Sequence, residues 1–312
     1  MNSYRSFRVQ NPAYRLPRNR LFTQGENKLQ HTLAKEIVIK GIGLHSGCES
    51  MLTIKPAEIN HGIVFVRTDL PEKPSFRANY NQVVDTRNCT CLGDAKGNIV
   101  STIEHLMAAL AVCQVDNALI EITNPETPIM DGSALPFYQA IKNTGVVAQS
   151  QPRKLIKVVK PVRFDDGKGA VVELLPADEF AVHFTIDFPS KIVGHQEFSA
   201  KLSEDIFASQ IAPCRTFCEK YQVDYLKSIG LIKGGSLYNA VVLDGETILN
   251  EGGFRVENEC VNHKVIDAIG DMYTAGYQII GKLIASKSGH YHNNQILKVL
   301  FSDKTNYQII EE

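Results

Sequence analysis

The sequence predicts an α+β protein made of two similar halves. Apolar patterns along the chain indicate both strands and helices in each half. Each half has the same order of elements: a run of strands, a helix that begins near a histidine, a buried strand and a second helix. A polar stretch at 146–154, with Pro152, lies between the halves and is the predicted linker. Residue identity between the halves is poor, so the order of elements carries the prediction of a duplicated unit.

The first half begins with strands. "KEIVIKGIGL" and "SMLTIKP" read as two strands joined by a glycine-rich turn, and "GIVFVRTDL" reads as a third. Residues 101–112 have a Ser-Thr start and apolar periodicity, so we expect a helix there. A buried strand at 117–122 follows. The helix in "ALPFYQAIKNTG" ends at Gly145.

The second half repeats this order with longer connections. Its strands are "KLIKVVKPVRF", "AVVELLP" and "EFAVHFTIDF", the first two joined by the turn "DDGKG". Helical patterns cover 203–210 and 217–230, and "LYNAVVLDGETILN" reads as a hairpin with Asp244-Gly245 at its tip. A helix from 262, a strand at 277–285 and a helix at 293–301 complete the half. The predicted domains are therefore 30–148 and 153–302, after a basic extension at 1–29.

Composition places the chain among globular proteins. Of its 312 residues 44% are apolar and 21% charged, and the net charge of −1 gives no general reason to expect nucleic-acid binding. No apolar run approaches the roughly 18 residues of a membrane span. Seven cysteines, an odd number, favour reduced thiols and hence a cytoplasmic location. Their C-x-C and C-x3-C spacings differ from the C-x2-C of structural zinc sites.

The first thirty residues differ from the rest of the chain. They are rich in arginine, poor in acidic residues and without apolar periodicity. Such a composition fits either a disordered basic tail or an organelle transit peptide, and we favour the tail.

One helix carries polar residues in a row. In "NHKVIDAIGD", His263, Asp267 and Asp271 are spaced by four and so lie on one face. A buried, unpaired charge costs several kcal/mol, so three explanations stand: a solvated face, an internal hydrogen-bond network, or a metal site. An imidazole and a carboxylate at i and i+4 can share one ion, with the geometry of the two histidines in H-E-x-x-H.

The matching helix of the first half offers a third ligand. His105, in "STIEHLMAAL", would complete a set of two imidazoles and a carboxylate, which is typical of catalytic zinc. Glu104 beside it would be placed as a base for water, although a first-turn glutamate is also favoured by the helix dipole. His290 lies in the loop "SKSGHYHNN" and could act as a general acid oriented by Asp271, or be a surface histidine.

Seven motifs in order resemble one enzyme family. They are "GIGLHSG", "STIEHLMAAL", "PIMDGSALPF", "CRTF", "GGSLYNAVV", "NHKVIDAIGD" and "KSGHYHNN". Together, from about Gln30 to Phe301, they resemble the UDP-3-O-acyl-N-acetylglucosamine deacetylases, zinc amidases that commit the precursor to lipid A synthesis. The resemblance implies two similar α+β domains layered face to face, with the active site between them. It implies UDP-linked acylated GlcNAc as substrate; we expect a monomer with no nucleic-acid partner.

The resemblance also implies residue roles. The residues that match the family's zinc ligands are His105, His263 and Asp267. The residues that match its catalytic groups are Glu104 as general base, His290 as proton donor with Asp271 as its partner, Lys264 beside the zinc, and Thr216 as the hydroxyl on the tetrahedral intermediate. The residues that match its substrate contacts are Phe217, Lys287, Phe188 and Ser236, and 217–235 match the insert that forms the acyl passage.

Some positions depart from the family pattern. Glu219 stands where enterobacterial members carry an aromatic residue, and Arg87 and Asn88 stand where those members are apolar. The width of the acyl passage therefore does not carry over.

Rival interpretations of the function are a related amidase for another N-acyl substrate, a silent nucleotide-sugar-binding protein and a structural protein. Two histidines and a carboxylate also suit iron(II) as well as zinc.

Overall fold

The computed structural model describes residues 28–312. The basic extension predicted at 1–29 falls almost wholly outside the described residues. In the first half, the elements in chain order are β1 Leu29–Leu33, β2 Ile37–Ile42, β3 Glu49–Pro56, β4 Ile63–Arg67, β5 Ser75–Arg77, a 3₁₀ turn Tyr80–Gln82, β6 Val83–Asp85, β7 Cys91–Gly93, β8 Ile99–Val100, α1 Glu104–Val112, β9 Ala118–Ile122, α2 Leu135–Thr144 and β10 Val146–Pro152.

The second half begins at β11. Its elements are β11 Lys154–Val158, β12 Val162–Asp165, β13 Val171–Leu175, β14 Ala181–Asp187, β15 His195–Lys201, α3 Glu204–Ile206 with a π-helical turn Phe207–Ile211, β16 Phe217–Glu219, α4 Lys220–Ser228, β17 Val241–Asp244, β18 Thr247–Ile248, α5 Glu259–Tyr273, β19 Gln278–Ile280, β20 Lys282–Ser286, α6 His290–Ser302 and β21 Tyr307–Glu311.

Each half contains a five-stranded sheet with the same topology. The strand orders are β2-β3-β9-β4-β5 and β12-β13-β20-β14-β15. In both sheets the central strand, β9 or β20, pairs antiparallel with one neighbour and parallel with the other. Four smaller sheets, among them β6-β7-β8, surround these two within residues 28–312. The predicted α+β class is thus confirmed, and the topology supports the predicted likeness of the halves. The boundaries 30–148 and 153–302 remain predictions.

Some predicted elements differ from the structure. The stretch 146–154, predicted as the linker, is mostly a strand and not a loop, because Val146–Pro152 form β10, which pairs antiparallel with β1. Polar residues occur there because β10 and β1 form a two-stranded sheet of their own, which leaves most of β10 partly or fully exposed. The pattern at 217–230 begins as strand β16, which pairs with β17, before α4 starts at Lys220.

Helices α1 and α5 pack against each other and bring the halves together. Every residue of α1 up to Ala111 is buried, and Glu104 and His105 are the only polar residues of this helix. The contact is close where Gly270 meets the backbone of Glu104, since a Cβ on Gly270 would lie 2.0 Å from the Glu104 carbonyl oxygen. The first turn of α1 therefore lies against the C-terminal part of α5, around Gly270. None of the helices within residues 28–312 reaches the length and apolarity needed to cross a membrane.

Candidate metal centre and active site

Three buried side chains converge where α1 meets α5. His105 comes from the first turn of α1, and His263 and Asp267 come from successive turns of α5. Asp267 Oδ1 lies 3.6 Å from His105 Nε2 and 3.4 Å from His263 Nε2. One ligand atom from each residue lies within 4.8 Å of the others. The structure thus brings together the three residues that the sequence predicts as metal ligands.

The orientation of His263 suits a metal ligand. Its Nδ1 lies 3.1 Å from the carbonyl oxygen of Cys214, so Nδ1–H donates there and Nε2 faces Asp267. Burial lowers the pKa of His263 to about 3, although Asp267 opposes the shift. A neutral imidazole with one nitrogen held by a carbonyl is the usual form of a metal-binding histidine. The donor set therefore fits a divalent metal.

Asp267 is held as a carboxylate. Burial acts to raise its pKa, but Lys264 and His263 outweigh burial and keep the pKa well below its usual range. Lys264 Nζ donates to Asp267 Oδ2 at 2.6 Å, which leaves Oδ1 facing the two imidazoles. Lys264, predicted to lie beside the metal, thus contacts one of the three candidate ligands.

Glu104 lies at the edge of the cluster as a buried acid. Its side chain is at the first position of α1, and its Oε2 accepts a hydrogen bond from the Thr90 backbone N–H at 3.0 Å. Burial raises the pKa of Glu104, while His290 and His105 act in the opposite direction. A carboxylate with a raised pKa is a better proton acceptor near neutral pH.

His290 and Asp271 form a pair beside the cluster. His290 Nδ1 lies 2.9 Å from Asp271 Oδ2, and its Nε2 lies 4.0 Å from Asp267 Oδ2. Burial acts to lower the pKa of His290, but Asp271 and Asp267 outweigh it and raise the pKa to about 9. The pair therefore directs Nε2 of His290 toward Asp267 and favours the protonated ring, which suits a proton donor.

Sequence reasoning missed two residues of this network. Thr90 Oγ1 donates to Asp271 Oδ1 at 2.5 Å, and Asn293 Nδ2 donates to Asp271 Oδ2 at 2.9 Å. Thr90 is 181 positions from Asp271, so no spacing in the sequence links them. Asn293 lies in the motif "KSGHYHNN", and its place one turn after His290 was the available signal.

A cavity of about 580 Å³ opens onto these groups. The predicted site residues that line it are Glu104, His105, His263, Lys264, Asp267, His290, Thr216, Phe217 and Phe188. Phe188 and Phe217 meet edge to face, with ring centroids 5.3 Å apart, and make an apolar wall. Asp271 lies behind His290 and outside this lining.

Two predicted substrate contacts lie outside the cavity lining. Lys287 is half-exposed and donates to Asp187 at 2.8 Å, while the backbone N–H of Ser236 is bonded to the Asn239 side chain. Of the departures from the family pattern, Arg87 and Asn88 line the cavity. Glu219 caps α4 instead, with its backbone N–H bonded to Gln222.

Comparisons with known proteins point to one family. Residues 30–302 match the model of the family described as UDP-3-O-acyl N-acetylglycosamine deacetylase (LpxC). UDP-3-O-acyl-N-acetylglucosamine deacetylases from Histophilus somni and Pasteurella multocida are each 44% identical to this chain over 283 residues, which cover 90% of this chain and 92% of theirs. The enzyme of the same name from Shewanella violacea is 42% identical over 283 residues, with the same coverage.

Proposed function

Because this chain belongs to the UDP-3-O-acyl-N-acetylglucosamine deacetylase family, we propose that it hydrolyses the N-acetyl group of UDP-3-O-(3-hydroxyacyl)-N-acetylglucosamine. The products are UDP-3-O-(3-hydroxyacyl)-glucosamine and acetate, and the reaction is the committed step of lipid A biosynthesis. The observation that carries this proposal is a buried His105, His263 and Asp267 cluster with a proton acceptor and a proton donor in the same cavity.

Zinc is the proposed cofactor, and His105, His263 and Asp267 are its proposed ligands. When bound, zinc supplies a Lewis acid that polarises an amide carbonyl and makes water more acidic. Two imidazoles, one carboxylate and space for a further ligand are typical of catalytic zinc sites. Iron(II) accepts the same donors, so the experiment below identifies the metal as well as its amount.

Glu104 is the proposed general base. Its Oε2 is occupied by the Thr90 N–H, so Oε1 is the oxygen left to take the proton of the attacking water. The first turn of α1 fixes Glu104 next to His105, and hence next to the proposed metal.

Thr216 is the proposed donor to the oxyanion. Hydrogen bonds from Thr216 N–H to Gly132 and from Val241 N–H to Thr216 hold its backbone at the cavity wall. Loss of one such donor costs about 3 to 4 kcal/mol in comparable sites.

His290 is the proposed proton donor to the leaving amine. Its Nδ1–H is committed to Asp271, so Nε2–H is the proton that faces the cavity and can be given up. The apolar wall of Phe188 and Phe217 offers a surface for the acyl chain, because aliphatic groups favour burial against aromatic rings. Kinetics with substrates of different acyl-chain length would show which length the enzyme prefers. Variants of Lys287 and Ser236 would show whether these residues contact the substrate.

We propose that the enzyme acts in the cytoplasm, as a monomer and without a nucleic-acid partner. All seven cysteines are free thiols in the structure, which suits a reducing compartment.

A silent nucleotide-sugar-binding protein is the second candidate. The hydrogen-bonded base Glu104 and the His290–Asp271 pair support catalysis instead, since binding alone requires neither.

Acetate release from the UDP-linked acylated substrate tests the proposal, with metal identity and content measured on the same sample prepared without chelator. We expect turnover with about one zinc per chain, lost on chelation and restored by zinc. Bound metal without acetate release would overturn the substrate assignment.

Two variants separate the proposed roles. Glu104→Gln is expected to keep the metal and lower kcat by about 10² to 10⁴-fold, whereas His263→Ala is expected to lose the metal. Glu197→Gln and His195→Ala, both exposed on β15, are the matched controls and should change neither quantity. Full activity in Glu104→Gln would remove Glu104 as the base.

A further inference from the structure

Thr90 is a buried threonine that precedes β7 and lies behind the active-site cavity. It is 2% exposed and is absent from the residues that line the cavity, so it does not reach substrate. We propose that the Thr90 hydroxyl is a positioning group of the deacetylase, which fixes Asp271 and, through it, the proton donor His290. This inference rests on the proposed function.

The backbone of Thr90 is anchored to the other arm of the site. Its N–H donates to Glu104 Oε2 at 3.0 Å, and its carbonyl accepts from the N–H of Ile103, the residue before α1, at 3.4 Å. The following strand β7 is held on both sides by β6 and β8. Thr90 therefore has a fixed position relative to the base, and its hydroxyl extends from that position toward the acid.

The Thr90 hydroxyl has one proton to donate, and the geometry assigns that hydrogen bond to Asp271. Oγ1 lies 2.5 Å from Asp271 Oδ1, and a carboxylate can only accept, so the hydroxyl proton points there. Asp271 Oδ2 accepts from Asn293 and from His290 Nδ1, both at 2.9 Å. With donors on both oxygens, the carboxylate cannot rotate without loss of a hydrogen bond.

A fixed Asp271 sets the ring of His290. The Oγ1 atom of Thr90 is also 3.4 Å from His290 Nδ1, so the ring edge rests against the same hydroxyl. Nδ1–H must therefore point to Asp271 Oδ2, which leaves Nε2 toward the metal ligands. Thr90 is β-branched, and its restricted χ1 adds to the rigidity of the arrangement. Through this one residue, the first half of the chain orients the acid of the second half.

The experiment compares steady-state kinetics of Thr90→Val and Thr90→Ser with those of the wild type. Valine has the shape of threonine without the donor, and it keeps the N–H that holds Glu104. We expect Thr90→Val to lower kcat about 10 to 100-fold, as is usual for residues that orient a catalytic group, with KM and metal content unchanged. Thr90→Ser restores the donor and is expected to stay within about threefold of wild type, well short of that loss.

A double-mutant cycle shows whether the hydroxyl acts through Asp271. In an Asp271→Asn background, Thr90→Val is expected to lower kcat by less than about twofold, because the group it orients is already lost. If Thr90→Val folds poorly, Thr90→Ala is used in the same cycle. Equal losses in both backgrounds would overturn the inference.

Thr32→Val is the matched control for loss of a buried threonine hydroxyl. Thr32 lies in β1 and is absent from the cavity lining, and its Oγ1 donates to the Asn117 carbonyl at 2.7 Å. It should lower the melting temperature and leave kcat unchanged. If the wild type is active and Thr90→Val has an unchanged kcat, the inference about Thr90 is overturned while the proposed function stands. An inactive wild type with zinc bound would overturn the proposed function and this inference with it.

Discussion

The surroundings of His263 and His290, two histidines of the candidate site, shift their pKa values in opposite directions. Burial lowers the pKa of His263 to about 3, and its Nδ1–H contacts an uncharged carbonyl. Burial acts on His290 in the same direction, but Asp271 and Asp267 raise its pKa to about 9. The first state suits a metal ligand and the second a proton donor. Identical residue types thus take different proposed roles because of which carboxylates face them.

The ion pair of Arg67 and Asp69 gives a pH-dependent contribution to stability. Arg67 is almost fully buried at the end of β4, and it donates to both oxygens of Asp69, at 2.8 and 2.6 Å. The hydrogen bonds from Arg67 lower the pKa of Asp69 in the folded protein. A depressed carboxyl pKa stabilises the fold above the unfolded value and loses that effect as pH falls through the folded value.

Asp69→Asn is therefore expected to destabilise the protein more at pH 7 than at pH 3. The measurement is the difference in free energy of unfolding from urea titrations of wild type and variant at pH 7, 5 and 3. Asp224→Asn, exposed on α4, is the control and should show little pH dependence. A difference that stays constant from pH 7 to pH 3 would contradict the assignment.

At the scale of elements, the crossing of α1 and α5 sets the site. Glu104 and His105 come from one helix and His263 and Asp267 from the other, so the separation of the helices decides how far these two pairs of residues lie apart. The helices approach at Gly270, where a side chain would meet the backbone of Glu104. A glycine at position 270, in the C-terminal part of α5, is thus required by the packing.

Gly270→Ala tests this crossing. Alanine improves helix propensity by about 1 kcal/mol over glycine, but its Cβ would lie 2.0 Å from the Glu104 carbonyl oxygen, and this backbone atom cannot yield locally. Overpacking typically costs about 1 to 3 kcal/mol, so we expect net destabilisation. We also expect loss of kcat, because Glu104 must move. Thermal unfolding and kinetics measure both, with Lys298→Ala on α6 as control. Wild-type stability and kcat would contradict the requirement.

The start of α5 is tied to the "CRTF" segment by a buried ion pair. Arg215 Nε and its backbone N–H both donate to Glu259 Oε1 at 2.9 Å, and the Glu259 side chain has no exposed surface. This pair holds the neighbouring Cys214 carbonyl where it orients His263, and Thr216 where it faces the cavity.

Glu259→Gln leaves the buried Arg215 without its counter-charge. Loss of one partner of a buried pair costs about 3 to 5 kcal/mol, so we expect a large fall in the urea midpoint with an unchanged m-value. Glu179→Gln is the matched control, because its pair with Lys201 is exposed and such pairs contribute about 0 to 1 kcal/mol. Similar losses in the two variants would argue against a special role for Glu259.

At the scale of the whole molecule, the proposed metal joins the two halves. One ligand comes from the first half and two from the second. A metal that binds the folded state alone stabilises it by about 2.7 kcal/mol at a free concentration of 100 times Kd. Chelation is therefore expected to lower the melting temperature of the wild type. His263→Ala should melt at the same temperature with and without chelator. A wild type that does not respond to removal of its metal would contradict this link.

The amino-acid pattern alone predicted the α+β class, which the structure confirms, and the order of elements in each half, and it led to the proposal of His105, His263 and Asp267 as metal ligands. The class and the element order depend on local periodicity, and the pairing of His263 with Asp267 depends on i, i+4 spacing within α5. His105 lies on another helix, so the matching order of the two halves and the family motifs were needed to add it. Seven ordered motifs also determined the family. The polar residues of strand β10 are typical of a loop, and only its pairing with β1 reveals a strand.

The contact between the two halves and the residues around the candidate site became visible only in the folded chain. The contacts of Thr90 with Glu104 and Asp271, and of Gly270 with Glu104, join residues up to 181 positions apart. The exclusion of Lys287 and Ser236 from the cavity lining was likewise decided by packing. Hydrogen bonds and close backbone approaches depend on distance in space, and a pattern along one chain carries no record of that distance.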